Sequence, residues 1–167
     1  NPYRGCEHGC IYCYARPNHA YVGLSPGLDF ETKLFVKANA VELLEREFAK
    51  PGYKPKTIML GGVTDIYQPI ERGYGITRGI LEVMERWRHP VSLITKSQLV
   101  IRDIDILARL AERGLAKAAI SVTSLERRLA RVMEPRAAAP HRRIEAIRMP
   151  AEAGVPVTVM VAPIVSA

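Results

Sequence analysis

Thr57-Ile58-Met59-Leu60-Gly61-Gly62 is a short β-favouring run closed by two glycines. It predicts a buried strand whose C-terminal end opens into a turn with accessible backbone. Upstream, Asn39 to Lys50 sets Val41, Leu43, Leu44 and Phe48 among charges at roughly helical spacing, and Pro51-Gly52 stops that helix. Downstream the alternation recurs. Thr77 to Arg88 reads as a helix, Val91 to Thr95 as a strand, Asp103 to Arg113 as a helix closed by Gly114, and Ala118 to Thr123 as a strand. Two helices interrupted by Pro135 and Pro140 follow, and the second, about Arg142 to Ala153, contains Pro150, which predicts a kink or a restart before Gly154. Val155 to Val161 is the final strand, apolar nearly throughout. Strands without polar alternation, separated by helices, predict an α/β fold whose parallel sheet is covered on both faces, about half a barrel in extent.

The chain has 167 residues, 48% of them hydrophobic, which suits one compact domain with a core and points away from disorder. It begins at Asn1 without an initiator Met and stops at Val165-Ser166-Ala167 after an apolar run, so residues 1–167 read as a segment of a longer protein. No apolar stretch approaches the roughly 20 residues of a membrane-spanning helix, and the N-terminus lacks the apolar core of a secretory signal. A cytoplasmic protein without membrane contact is the expectation. The net charge of +7 attracts anions such as nucleic acid, but arginines are spread along the entire chain, and general composition explains much of the excess.

Residues 1–30, rich in Gly, Pro, Asn and Tyr, show no sustained period and read as a long loop built to hold something. Within it, Cys6, Cys10 and Cys13 are the only cysteines of the chain and fall in eight residues. Three clustered thiols without secretory signs suit a shared metal or cluster better than disulfides, and they imply a reducing compartment. Soft thiolates suit both iron-sulfur clusters and zinc, and zinc would complete its tetrahedron with His8 or His19. A four-iron cluster held by three cysteines leaves one iron free to bind a substrate or cofactor.

The spacing Cys-x3-Cys-x2-Cys, with an aromatic residue just before the last cysteine, resembles the signature of the radical S-adenosylmethionine (SAM) superfamily. The string from Asn1-Pro2-Tyr3-Arg4-Gly5-Cys6 through Tyr12-Cys13-Tyr14-Ala15-Arg16 resembles its spore-photolyase-like, DNA repair photolyase-like branch. So do Gly61 through Glu71, Ile94-Thr95-Lys96-Ser97, Ser121-Val122-Thr123 and Met133-Glu134-Pro135-Arg136, in order along nearly the whole chain. The resemblance implies a partial (β/α)6 TIM-like barrel with its first and last strands outside this segment. It implies a 4Fe-4S cluster on Cys6, Cys10 and Cys13 whose open iron takes the amino and carboxylate groups of S-adenosylmethionine. Reductive cleavage would then give a 5'-deoxyadenosyl radical that abstracts a substrate hydrogen, with the electron supplied by a donor such as flavodoxin or ferredoxin.

The same resemblance distributes cofactor contacts. Gly61, Gly62 and Thr64 match the turn that receives the methionine amino group, although a double glycine also serves as a tight strand exit. Asp65 adds an acceptor there or caps the next turn. Lys96, by itself a solvated lysine, becomes the cation for the cofactor carboxylate. Ser121 and Thr123, two apart on one predicted strand, share a face and reach the ribose, or else bond the backbone. Tyr12, Val161 and Ala162 are placed for adenine, the last two being ordinary core residues otherwise. Tyr14 matches a tyrosine that returns a hydrogen atom to the substrate radical, or it packs over the cluster. Tyr67, Gln68 and Glu71 are candidates to face substrate. Arg127, Arg128, Arg131, Arg136, Arg142 and Arg143 offer phosphate contacts for DNA or form a solvated surface. One departure stands out: the photolyase pattern has a catalytic cysteine where this chain has Gly62, which puts a thiol-dependent repair reaction in doubt.

Overall fold

A computed structural model describes residues 1–164. Its centre is a four-stranded parallel sheet of β3 (Ile58–Leu60), β4 (Val91–Thr95), β5 (Ala116–Ser121) and β6 (Val157–Met160), ordered as in the sequence. Ile58 pairs with Val91, Val91 with Ala116, and Ala118 with Val157, so all four strands point the same way. Helices make the crossovers: α4 (Ile76–Arg86), after the single turn α3 (Glu71–Tyr74), joins β3 to β4, and α5 (Ile104–Ala111) joins β4 to β5. α6 (Arg127–Met133) and α7 (Pro140–Glu152) join β5 to β6, and α2 (Ala40–Phe48) precedes β3. Leu81 and Met84 of α4 and Ile106, Leu107 and Leu110 of α5 press on Leu93 and Ile120 of the central strands. These side chains are almost wholly buried, and each contributes about 1.5–3 kcal/mol through area removed from water.

The α/β class, the parallel sheet and the order of elements match the sequence reading, but boundaries move. β5 starts two residues early and ends at Ser121, leaving Thr123 beyond the strand. β6 is shorter than Val155 to Val161, and its residues Thr158, Val159 and Met160 are exposed because it forms a sheet edge among the described residues. α7 begins at Pro140 rather than Arg142, since proline is well suited to the first turn, where its missing N–H has no partner to lose. The same helix passes Pro150 without a restart because that residue lies in its last turn.

The first 30 residues are more ordered than a loop. A 3-10 turn spans Arg16–Val22, α1 spans Asp29–Thr32, and a two-residue ribbon pairs β1 (Tyr3–Arg4) with β2 (Phe35–Val36). The ribbon clamps the two ends of the cysteine segment. Inside it, Cys6, Ala15 and Phe30 form a small second core, with the Cys6 amide donating to the Phe30 carbonyl at 2.9 Å. His19 is fully buried against Phe30, with ring centroids 5.1 Å apart, and its Nε2 meets the Lys33 carbonyl at 3.0 Å. It serves the packing of the loop.

Candidate functional site

The C-terminal ends of the parallel strands face the cysteine segment across one cavity of about 130 Å³. Cys6, Cys10 and Cys13 form one wall. Gly61, Gly62 and Thr64 beyond β3, Lys96 beyond β4 and Ser121 at the tip of β5 form the other. Tyr12 and Tyr14 close the rim. Residues 115 positions apart in the chain therefore share one space, which is the usual consequence of placing a site at the carboxyl ends of parallel strands.

Local chemistry explains each wall. Gly61 holds φ +90, and a Cβ there would lie 2.0 Å from the Ile94 carbonyl oxygen, so the β3 turn presses directly on β4. Its amide donates to Asn1 Oδ1 at 2.8 Å. Thr64 is buried and donates its hydroxyl to the Tyr3 carbonyl at 3.0 Å, leaving oxygen lone pairs to accept from a ligand. Asp65 is both an acceptor and a cap: Oδ1 takes the Tyr67 amide at 2.9 Å and the Thr95 hydroxyl at 2.6 Å, and Oδ2 takes the Lys96 amide at 2.7 Å. One carboxylate thus ties the exits of β3 and β4 together. His8 stands beside it, with Nδ1 3.4 Å from Oδ2, and burial lowers the imidazole's proton affinity despite the partial opposition of Asp65.

Lys96 projects its ammonium 5.8 Å from the centre of the Tyr12 ring, and it pairs with no carboxylate among the described residues. A cation kept beside an aromatic face without an anion is available to a carboxylate ligand. Tyr14 is largely exposed and donates its hydroxyl to the Gly62 carbonyl, so it bridges the cysteine loop to the β3 turn at the cavity mouth.

Burial pushes the Cys6 thiol up to about 12, with a further push from the Asp65 charge, and it raises Cys10 to about 11. Both thiols are protonated without a metal, and a cation that replaces those protons relieves the penalty of burying thiolates. Among the described residues no three His, Cys, Asp or Glu side chains gather around one ion. The three thiols line one cavity, and thiolates are the usual ligands of iron-sulfur clusters.

A radical SAM superfamily profile matches residues 1–165. The chain belongs to that superfamily. It is 37% identical over 98% of its length to an uncharacterized Mycobacterium tuberculosis protein, and 28% identical over 99% to one from Methanocaldococcus jannaschii. It covers 48% and 59% of those proteins, so this radical SAM core spans about half the length of the curated relatives it matches. Spore photoproduct lyase complexed with dinucleoside spore photoproduct superposes with TM-score 0.70 at 20% identity, covering 99% of this chain and 45% of that one. A variant of that lyase with bound AdoMet and dinucleoside spore photoproduct gives 0.68 at 20% identity, covering 96% and 44%. At this identity the likeness establishes the fold, and the radical SAM barrel reading of the half-sheet stands on it.

Three expected contacts lie apart from the cavity lining of this radical SAM core. Thr123 sits past the end of β5, where its hydroxyl donates to Glu134 Oε1 at 2.8 Å and also lies 3.2 Å from the Ala162 carbonyl. Val161 and Ala162 are exposed at the end of β6. Tyr67, Gln68 and Glu71 do not face a substrate space, because all three are fully buried. Gln68 donates to the Gly5 carbonyl at 3.1 Å and accepts the Glu7 amide at 2.9 Å, while Glu71 accepts from Tyr3, Thr77 and Arg102. Gln68 and Glu71 thereby fasten the segment that carries the cysteines to the rest of the fold. Arg143, grouped by sequence with the phosphate candidates, is buried, and Arg136 is spent on the Glu7 carbonyl and Glu31.

The residues that sequence reasoning missed form a buried network behind Tyr12. The Tyr12 hydroxyl donates to Glu134, and Glu134 pairs with Arg143. Arg143 also donates to the carbonyls of Ala138 at 2.7 Å and Ser121 at 3.1 Å. Burial opposes ionisation of Glu134, but bonds from Arg143 and Tyr12 outweigh it and hold its carboxyl below the usual range. The Met133-Glu134-Pro135-Arg136 string was the visible signal.

Proposed function

We propose that this chain is the core of a radical SAM enzyme that holds a 4Fe-4S cluster and S-adenosylmethionine in the cavity between the cysteine segment and the strand ends. The observation that supports this is the meeting of all three cysteines with Gly61, Gly62, Thr64, Lys96 and Ser121 around one space. When bound, the cluster supplies the electron that cleaves S-adenosylmethionine to methionine and a 5'-deoxyadenosyl radical, which then abstracts a hydrogen from a substrate. The protein's residues bind and orient. Cys6, Cys10 and Cys13 ligate three irons, and Lys96 meets the cofactor carboxylate. The Thr64 oxygen and the carbonyls of Gly61 and Gly62 accept from its ammonium. Ser121 reaches the ribose, and Tyr12 forms one side of the adenosyl slot. Thr123, bonded to Tyr12 and Ala162, keeps the end of β6 beside that slot, where Val161 and Ala162 extend it toward adenine. Tyr14 guards the mouth and is positioned to exchange a hydrogen atom with what enters.

Gly62 stands where the photolyase pattern has its catalytic cysteine, so the proposed chemistry does not include a thiol donor at that position. Three unpaired thiols suit a reducing compartment such as the cytoplasm, and no helix among the described residues is long and apolar enough to cross a membrane. Full-length protein reconstituted anaerobically with iron and sulfide, then given dithionite and S-adenosylmethionine, is expected to form 5'-deoxyadenosine. Cys6→Ala, Cys10→Ala and Cys13→Ala each abolish it, as no spare cysteine exists. A wild-type protein that forms none removes the reading.

A further inference from the structure

The cavity that the three cysteines line opens at the mouth beside Tyr14, and an electron bound for a cluster there crosses the protein surface close to a cluster ligand. One surface beside the cysteine segment has the features of a docking site. Ile11, the residue after Cys10, is 65% exposed, which is unusual for an isoleucine inside a packed loop. Its amide donates to the Met133 carbonyl at 3.0 Å, which fixes it against the end of α6. Just before that helix Leu125 is 70% exposed, and along it Leu129 and Val132 are 36% and 64% exposed. Leu129 and Val132, three residues apart, share one helical face, and Leu125 stands in the turn that leads into the Glu126 N-cap. Ala130 and Met133, on the other side, are buried, so α6 is anchored and still leaves an apolar stripe in the open. Arg127, Arg128 and Arg131 flank the stripe, are exposed, and form no ion pair among the described residues. The other arginines of this region are occupied: Arg136 with Glu31, Arg142 with Glu145, Arg143 with Glu134.

We infer that Ile11, Leu125, Leu129 and Val132, with the arginines of α6, form the docking surface for a small acidic protein that carries one electron to the cluster. This rests on the radical SAM reading above. The electron balance is simple: the carrier loses one electron, the cluster gains it, and no bond forms or breaks at the interface. Charge complementarity argues for an acidic partner, since a basic flank on a chain of net charge +7 steers negative surfaces toward it. An apolar centre beside a charged flank suits a protein better than nucleic acid, whose interfaces are more polar and wetter. Small area is no objection, because electron-transfer encounters are among the smallest interfaces. The location argues for electron delivery: the exposed Ile11 is the chain neighbour of a cluster ligand, so a carrier seated there is separated from Cys10 by a single peptide link.

The test uses full-length protein reconstituted with iron and sulfide and reduced either by dithionite, which needs no docking, or by a reduced acidic flavodoxin. Two variants separate charge from apolar contact: Arg127→Glu with Arg128→Glu, which places acids at the start of α6 where they suit the helix dipole, and Val132→Glu. Each is expected to slow flavodoxin-driven formation of 5'-deoxyadenosine about tenfold or more, since surface charge and contact act on association and residence. Dithionite-driven formation stays at the wild-type level, and added salt slows only the flavodoxin-driven rate of the wild type. Equal flavodoxin-driven rates in wild type and both variants would overturn the assignment. So would an equal loss with both reductants, which would place these residues in the support of the cluster loop. Loss of oligonucleotide binding with an unchanged flavodoxin rate would assign the arginines to nucleic acid and likewise sink the docking site. If the wild type makes no 5'-deoxyadenosine with dithionite, it is the radical SAM reading that fails.

Discussion

The two adjacent glycines after β3 have different duties. Gly61 is pinned, because its left-handed backbone excludes a side chain and a Cβ would meet the Ile94 carbonyl oxygen at 2.0 Å. Gly62 has ordinary backbone, and its nearest neighbour to an added Cβ is Met59 at 4.0 Å. Gly61→Ala is expected to cost about 3 kcal/mol or more, and Gly62→Ala less than about 0.5 kcal/mol, read as shifts in chemical denaturation midpoint. Lys96 lies on the same wall as these glycines, and its backbone amide serves Asp65 whatever its side chain is. Lys96→Ala therefore keeps the fold and the assembled cluster, while S-adenosylmethionine binding weakens about tenfold or more by titration calorimetry, the value of a lost charge-assisted contact. Unchanged affinity would take Lys96 out of the site. The cysteines were legible in the sequence because their relation is local, eight residues from first to last. The pairing of Thr123 with Ser121 on one face was not borne by the backbone, since β5 ends at Ser121 and side-chain alternation cannot be carried past the last paired residue.

At the scale of elements, the α6–α7 connection is strapped to the cysteine loop. Ile11 and His8 bond the backbones of Met133 and Arg136, and Tyr12 reaches Glu134 across 122 positions of sequence. Such a contact has no local signature, so the Met133-Glu134-Pro135-Arg136 string could be seen in the sequence while the partners it bonds could not. Glu134→Ala leaves the Arg143 charge buried and unpaired, and is expected to cost about 3–5 kcal/mol in unfolding free energy. Glu134→Gln keeps the shape and removes the charge. Because the folded-state affinity of Glu134 for its proton is depressed, its contribution is fully present above the ordinary carboxylate value of 4.5 and is lost as pH falls below it. The stability gap between wild type and Glu134→Gln is therefore expected to be widest near neutrality and to shrink below that value. A gap independent of pH would mean that the Glu134–Arg143 pair does not hold these elements together.

For the whole molecule, the order of β3 to β6 could be read from a repeated pattern, since apolar strands between amphipathic helices admit few arrangements besides a parallel sheet. The resemblance, which sets the first and last barrel strands outside this segment, implies open sheet edges, and β6 is one among the described residues. Its Val159 is half exposed, and its outer backbone pairs with no strand among the described residues. The 167-residue chain alone is expected to self-associate through this edge, and Val159→Lys to reduce that association in sedimentation, as charges on edge strands do. Equal association in the variant would locate the contact elsewhere. Sheet, ribbon and helices together serve one arrangement: three thiols on one side of a cavity and Gly61, Gly62, Thr64, Lys96 and Ser121 on the other, the space that the proposed function assigns to the cluster and S-adenosylmethionine. Electron paramagnetic resonance of the reduced, reconstituted full-length protein, recorded with and without S-adenosylmethionine, addresses that arrangement most directly. The account predicts a four-iron cluster signal that is lost in each cysteine variant and changes shape when the cofactor is added. A signal indifferent to S-adenosylmethionine, or no cluster signal in the wild type, contradicts it.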